Sequence, residues 1–200
     1  MKKSLLTILI VGLLALSAQA SVVPMLTLVP SAASGEPGTF AGWGFTITST
    51  PTADWVVLSG STFQQTGGLP HEFADCTGVT GCTGSNGYVD FLSQGPLVVL
   101  GAPPESFSAS ETFDLGSLMG TGGFQILPTA DATTVSGILT VSYDVYSQDP
   151  NDQFFDPSSY LFSSKVSAKA SLDVPEPSSA GMMLAAVPLL LGTFKRKLFR

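Results

Sequence analysis

The sequence predicts an all-β protein, an antiparallel β-sandwich of immunoglobulin-like type with a jelly roll as the alternative. Only 12% of the 200 residues are charged, whereas the chain holds 21 glycines and 14 prolines, a composition that favours short strands and turns over helices. Between Ser21 and Val174 the apolar runs are short, and no helical periodicity is long enough to predict a helix. Their spacing fits seven to nine strands.

Several of these runs alternate apolar and polar residues, as a strand with one solvated face does. The predicted strands are centred on Trp43, Phe45 and Ile47; on Trp55 to Leu58, extended by Phe63; and on Leu139, Val141, Tyr143 and Val145. In the last run Tyr160, Phe162, Val166, Ala168, Ala170 and Leu172 are predicted to share one face, opposite Lys165, Ser167, Lys169 and Ser171. Turn clusters at 67–70, 84–87, 95–96, 101–104 and 149–152 separate the runs.

The charge of this central region is strongly negative. Between Ser21 and Val174 stand fourteen carboxylates against Lys165 and Lys169, a net charge of −12. Such a surface repels phosphate backbones and anionic lipid, so nucleic-acid binding is not expected. Cations, cationic polymers and neutral glycans are better partners, although net charge also simply keeps an extracellular protein soluble.

Residues 1–20 have the parts of a secretory signal peptide. Lys2 and Lys3 precede an apolar run from Leu5 to Leu16, and the small residues Ala18 and Ala20 predict cleavage by signal peptidase after Ala20. The alternative is an uncleaved anchor, but the apolar core of about 12 residues is shorter than the roughly 20 that span a bilayer.

At the other end, Pro175-Glu176-Pro177 precedes an apolar stretch from Ala180 to Phe194 and a basic end formed by Lys195, Arg196, Lys197 and Arg200. This order, at the end of a chain with a signal peptide, resembles the PEP-CTERM sorting domain. The resemblance covers roughly residues 174–200. It implies recognition by exosortase, a membrane cysteine protease-transpeptidase of bacteria that make extracellular polysaccharide and biofilm matrix.

The tail itself has the physical properties of a marginal membrane span. Fifteen helical residues rise about 22 Å, less than the roughly 30 Å of a hydrocarbon core. The basic end favours a cytoplasmic C-terminus, which places Pro175-Glu176-Pro177 on the outer side of the inner membrane. The sequence therefore predicts a signal peptide (1–20), a β-sandwich domain (21–173) and a sorting tail (174–200). A permanent C-terminal anchor is the alternative.

Cys76 and Cys82 are the only cysteines, and export to an oxidising compartment predicts a disulfide between them. The neighbouring His71, Glu72 and Asp75 raise the alternative of a metal site, but their spacing matches no known ligand pattern.

The acidic turn Asp149, Asn151, Asp152 and Asp156 is a candidate calcium site, because Ca²⁺ binds carboxylate and amide oxygens. Ordinary turn capping is the alternative. No other cofactor is expected.

Nothing in the sequence indicates an enzyme. His71 is the sole histidine, no Gly-x-Ser-x-Gly motif occurs, and no spacing selects a pair of carboxylates, so a secreted hydrolase is a minor alternative. The main prediction is an exported matrix or cell-surface protein, held transiently in the inner membrane and associated with extracellular polysaccharide. A carbohydrate-binding or adhesive module is the alternative. Its stacking candidates are Trp43 and Trp55, expected in the core, and Tyr146, Phe154 and Phe155, of which the two phenylalanines are less easily buried.

Overall fold

A computed structural model of the chain describes residues 23–51, 53–68, 73, 87–102 and 104–176. These residues form ten strands and one short 3-10 turn at Pro157–Ser159. The strands are β1 (Met25–Val29), β2 (Ala32–Ser34), β3 (Phe40–Thr48), β4 (Trp55–Gly67), β5 (Tyr88–Asp90), β6 (Val99–Leu100), β7 (Ser108–Glu111), β8 (Gly122–Gln125), β9 (Thr133–Tyr146) and β10 (Tyr160–Val174). The all-β prediction is confirmed. The ten strands exceed the predicted seven to nine. Three of them, β2, β5 and β6, have only two or three residues, too few to show a pattern in the sequence.

The strands build two sheets. Sheet A has the order β1-β3-β8-β5, and β7 also pairs with β3; sheet B has the order β2-β10-β9-β4-β6. Every pairing is antiparallel except that of β2 with β10, which is parallel. The prediction of a purely antiparallel arrangement is therefore wrong at this one pair. The parallel pair forms where the chain leaves sheet A after Val29 and joins sheet B at Ala32, running in the same direction as β10.

Long alternating strands form the centre of sheet B. In β9 the residues Val135, Leu139, Val141 and Val145 are fully buried, while their neighbours face outward, as the period of two in the sequence predicts. This strand pairs along almost its whole length with β10 on one side and with β4 on the other.

One predicted orientation in β10 is wrong. Tyr160 pairs with Tyr146 and Phe162 with Val145, so two steps along β10 match one step along β9. This bulge reverses the alternation. Tyr160 therefore lies on the outer face, where its ring contacts that of Tyr146 with centroids 5.8 Å apart, and Phe162 faces inward.

Aromatic rings join the two sheets. Trp43 of β3 is fully buried and stacks on Phe63 of β4, with ring centroids 5.6 Å apart. Phe124 of β8 meets four rings: Phe63 at 5.1 Å, Phe73 at 4.4 Å, Tyr88 at 5.4 Å and Trp43 at 6.1 Å. These rings lie within one large apolar cluster to which both sheets contribute.

A smaller apolar cluster lies on the other face of β5. Val89 and Phe91 are buried there against Leu118 and the stacked rings of Phe40 and Phe113. Glycine at 122 allows β8 to approach β5 so closely: φ is +135°, and a Cβ there would lie 2.1 Å from the carbonyl oxygen of Val89.

Substitution of Phe124 tests the role of the aromatic core. Phe124→Ala is expected to lower the free energy of unfolding by about 3–5 kcal/mol, the usual loss for a buried phenylalanine, measured by urea denaturation. The control is Phe154→Ala, whose side chain is 76% exposed and whose removal is expected to change stability by less than about 0.5 kcal/mol. Equal effects of the two substitutions would contradict this account of the core.

Candidate functional site

The loop between β9 and β10 carries the predicted acidic turn, and the structure shows how its carboxylates are used. Asp149 Oδ1 accepts a hydrogen bond from the backbone N–H of Asn151 at 2.8 Å. Asp152 Oδ1 accepts one from Phe154 at 2.9 Å, and Asp156 Oδ1 accepts one from Ser158 at 2.9 Å. All three aspartates therefore make the turns that Asp favours.

These bonds also affect ionisation. The backbone and side chain of Ser158 donate to Asp156 and lower the pKa of its carboxyl group, because hydrogen bonds to the charged form favour it. The side chain of Gln148 links the two sides of the loop. Its Nε2 donates to the carbonyl of Phe154 at 3.1 Å, and its Oε1 accepts from the N–H of Asp156 at 3.0 Å.

The calcium prediction gains no support from this geometry. No group of three or more His, Cys, Asp or Glu side chains able to hold a metal occurs among the described residues. The three aspartates of the loop each bond to their own turn instead of converging on one point. Calcium binding by Asp149, Asn151, Asp152 and Asp156 stays a prediction, and turn capping accounts for the observed contacts.

Aromatic side chains surround this loop. The ring of Tyr146 contacts those of Phe155 and Tyr160, with centroids 5.3 and 5.8 Å apart. Phe154 is 76% exposed, in line with the expectation that it is not easily buried. Trp43 lies in the core as predicted, whereas Trp55 is only half-buried at the start of β4. A partly exposed aromatic group thus stands at one end of sheet B.

A buried polar cluster between the sheets was missed by sequence reasoning. Ser61, Tyr88, Asp90 and Thr121 are at most 3% exposed. Ser61 Oγ lies 2.6 Å from Asp90 Oδ1 and 2.9 Å from the hydroxyl of Tyr88. The Tyr88 hydroxyl also donates to the carbonyl of Thr121 at 2.9 Å, and Asp90 Oδ1 accepts from the N–H of Leu92 at 3.0 Å.

The cluster bonds polar groups of both sheets to one another. Each hydroxyl has one hydrogen, so donation from Ser61 to Asp90 and from Tyr88 to Thr121 satisfies both. A serine beside a carboxylate could suggest a nucleophile, but a substrate would have to reach residues that are almost wholly enclosed. A structural role follows. One feature of the sequence could have indicated this cluster: a single acid, Asp90, lies within the apolar run from Tyr88 to Leu92.

Burial in this cluster raises the pKa of Tyr88 well above its ordinary value of 10.0, and the charge of Asp90 adds to the rise, while the bonds to Ser61 and Thr121 oppose it. The cause is that a tyrosinate would have to form without water around it.

The remaining predicted sites lie mostly outside the described residues. These include Ala18 and Ala20, Pro177, the basic residues Lys195, Arg196, Lys197 and Arg200, the pair Cys76 and Cys82, and His71, Glu72 and Asp75. The predicted terminal helices lie there too. Pro175 and Glu176 are described, and both are exposed directly after β10. In the described part of the chain, no helix has the length and hydropathy of a membrane span.

No protein-family model matches the chain, and no curated protein sequence is similar enough to count as a match.

Alkaline titration tests the environment of Tyr88. Below pH 10 the tyrosine is neutral in both the folded and unfolded chains, so its contribution to stability is constant. Above about pH 10 the unfolded chain ionises while folded Tyr88 does not, so this contribution falls as pH rises towards the folded pKa. The difference in unfolding free energy between wild type and Tyr88→Phe is therefore expected to shrink above pH 10.

Urea titrations at pH 7 to 11 measure this difference. Tyr160→Phe, at an exposed tyrosine, is the control for loss of a hydroxyl at pH 7. A wild-type to Tyr88→Phe difference that stays constant through pH 11 would show that Tyr88 ionises freely in the folded protein.

Proposed function

We propose that this chain is an exported, non-enzymatic protein of the cell surface or extracellular matrix, delivered by a C-terminal sorting tail of the PEP-CTERM type. The observation that supports it most is the position at which the last described strand ends. The last strand is paired up to Val174, which lies opposite Thr133, and Pro175 and Glu176 follow at once, exposed. The first two residues of the motif would therefore be accessible to a membrane-bound protease, because they are not paired in the sheet.

The backbone at this point also suits a protease. Proline holds its own φ near −65° and restricts the preceding residue to extended conformations, so Val174 and Pro175 favour an extended peptide. At the other end, β1 begins at Met25, shortly after the predicted cleavage at Ala20. Both proposed cuts then leave the strands of the domain intact.

For the delivered domain we propose an immunoglobulin-like sandwich. That fold arranges its strands in the sheets A-B-E-D and C-F-G. Sheet A matches the first order if β1, β3, β8 and β5 are taken as A, B, E and D, and sheet B contains β4-β9-β10 as C, F and G. The chain departs from the pattern at three short strands: β2 is added to sheet B beside β10, β7 is an additional partner of β3, and β6, the edge strand beside β4, follows β5 in the chain.

Intact mass spectrometry of the protein released from cells tests the delivery proposal. The expected species begins at Ser21 and lacks the apolar stretch and basic end after Pro175-Glu176-Pro177. Replacing all three motif residues by alanine is expected to retain the tail and leave the protein in the membrane fraction. Alanine at Ser178 and Ser179 is the matched control.

A released wild-type protein that still carries residues 180–200 would refute the proposal. The same spectra, after alkylation without reduction, report on the proposed disulfide. Cys76 and Cys82 remain unmodified if they are paired and gain two alkyl groups if they are free.

A second candidate function is binding of extracellular polysaccharide, and the exposed aromatic group at the β9–β10 loop favours it. Aromatic faces stack on sugar rings. Phe154 is exposed, and the next residue, Phe155, contacts the ring of Tyr146, which also contacts that of Tyr160.

Affinity electrophoresis in gels containing the polysaccharide of the producing cells tests this candidate. Phe154→Ala is expected to abolish most of the retardation, and Leu115→Ala, at another exposed apolar residue, to leave it unchanged. Parallel gels with Ca²⁺ or with a chelator show whether calcium at the acidic turn strengthens the binding of polysaccharide. Equal mobility with and without polysaccharide would exclude a binding role for this polymer.

A further inference from the structure

A groove on the outer face of sheet B lies at the opposite end of that sheet from the exposed aromatic group. Its volume is about 600 Å³, within the range of small-molecule sites. Ser136 in the groove is ten positions from Tyr146 along β9, roughly 33 Å, so the two places are separate. The groove is lined by residues of β4, β9, β10 and the segment before β2, among them Ser31, Thr66, Ser136, Ile138, Lys169 and Ser171.

Short side chains beside long ones create this groove. Lys169 of β10 is directly opposite Ile138 of β9, and the next outward pair along the strands is Ser171 opposite Ser136. The two serines are much shorter than lysine and isoleucine, so the surface is lower at the second pair. On the side of β4, a bulge leaves Thr66 without a direct partner on β9, and the Thr66 hydroxyl donates to the carbonyl of Ser136 at 3.3 Å.

The serine hydroxyls in the groove differ from other hydroxyls on the same face. Thr140 and Ser167 are directly opposite each other, and their hydroxyls are joined by a hydrogen bond of 2.8 Å. Ser136 and Ser171 are opposite each other in the same way, yet neither hydroxyl bonds to another residue in the described part of the chain. Their donors and acceptors are therefore available to a ligand.

Lys169 gives the groove a positive charge. The outward residues of β9 closest to it are Ile138, Thr140 and Ser136, none of which is acidic. The next carboxylate along β10 belongs to Asp173, four residues away, about 13 Å between Cα atoms. Interactions between exposed charges are screened over about 8 Å at physiological ionic strength. The groove is therefore locally positive, although the domain as a whole is acidic.

We propose that this groove binds a sugar acid, a hexuronate, either free or as one residue of an acidic polysaccharide. Lys169 pairs with its carboxylate. The hydroxyls of Ser136 and Ser171 exchange hydrogen bonds with the hydroxyls of the sugar, because each can both donate and accept. The apolar C–H face of the sugar ring lies on Ile138, whose side chain is 39% exposed.

The arrangement of charges and hydroxyls selects this ligand over simpler ones. A neutral sugar would leave the charge of Lys169 without a partner, and a small inorganic anion would make no use of the apolar surface of Ile138. Asp173 lies beyond Ser171, on the side away from Lys169. The ligand's carboxylate is therefore directed towards Lys169, and its hydroxyls towards the serines.

Saturation-transfer difference NMR of the full chain in detergent tests the groove, because this method detects weak binding. The probes are galacturonate, trigalacturonate and the methyl ester of the trimer, which has the same skeleton without charge. Both acids are expected to bind, and the ester to bind about fivefold more weakly, the upper range for an exposed ion pair. Tighter binding of the trimer than of the monomer indicates a polymer as the source, and equal binding indicates a free sugar acid.

Variants locate the binding. Lys169→Gln is expected to weaken the binding of trigalacturonate by about fivefold and to make it insensitive to salt. Lys165→Gln is the matched control, on the same strand and face but outside the groove, and is expected to change nothing. Ser136→Ala combined with Ser171→Ala is expected to weaken binding by about tenfold through lost hydrogen bonds. Phe154→Ala leaves this binding unchanged, which separates the groove from the aromatic group.

Three results would overturn the proposal: no binding of either acid, equal binding of the trimer and its ester, or equal losses in Lys169→Gln and Lys165→Gln. The last result would mean that the acid is attracted to any lysine of this face. Circular dichroism shows that each variant keeps its fold, as expected for substitutions on the outer face of a sheet. The inference does not depend on the delivery proposal, since the assay requires neither export nor cleavage.

Discussion

The packing of Phe124 against four other rings is the contact on which the rest of the structure depends. Its neighbours come from both sheets: Trp43 and Tyr88 from sheet A, Phe63 from sheet B, with Phe73 alongside. Large aromatic side chains contribute most to a core because each buries a large apolar area. With few charged residues available for ion pairs, the two sheets are held together chiefly by this packing. The same packing requires a glycine in β8, because only a residue without a side chain at 122 lets that strand pair closely with β5.

The buried polar cluster complements the aromatic core. Apolar packing has little directionality, and cores of similar volume can be repacked with modest loss. Hydrogen bonds from Ser61 to Asp90 and from Tyr88 to Thr121 have strict geometry, and a mispaired arrangement would leave buried polar groups unsatisfied. The cluster thereby favours one alignment of β4 against β5 and β8. Aromatic packing supplies stability, and the polar cluster supplies a defined relative position of the sheets.

Local patterns in the sequence predicted the parts of the fold that depend on local chemistry. The alternation around Trp43 and along Leu139 to Val145 identified β3 and β9, and the turn at 149–152 was placed correctly. Tyr160 was assigned to the wrong face because a bulge is set by pairing with β9 and leaves no local signature. The parallel pairing of β2 with β10 joins residues almost 140 positions apart, roughly the length of a whole domain.

The candidate sites likewise divide into those formed by local interactions and those formed by the tertiary fold. Asp149, Asp152 and Asp156 were recognised as a turn cluster, and each caps the backbone two residues ahead, which is a local interaction. Ser61, Tyr88, Asp90 and Thr121 are brought together only by the tertiary fold, so sequence reasoning identified none of them.

The position of β10 between β2 and β9 affects the order in which the chain can fold. The second strand and the last strand are direct neighbours, so sheet B cannot be completed until the chain has left its point of synthesis or translocation as far as Val174. Contacts between such distant segments slow folding, because a long loop must close before they form. Until then β9 lacks its longest partner, and its apolar residues are open to chaperones and to aggregation. Sheet B therefore stays incomplete until almost all of the described strands have emerged.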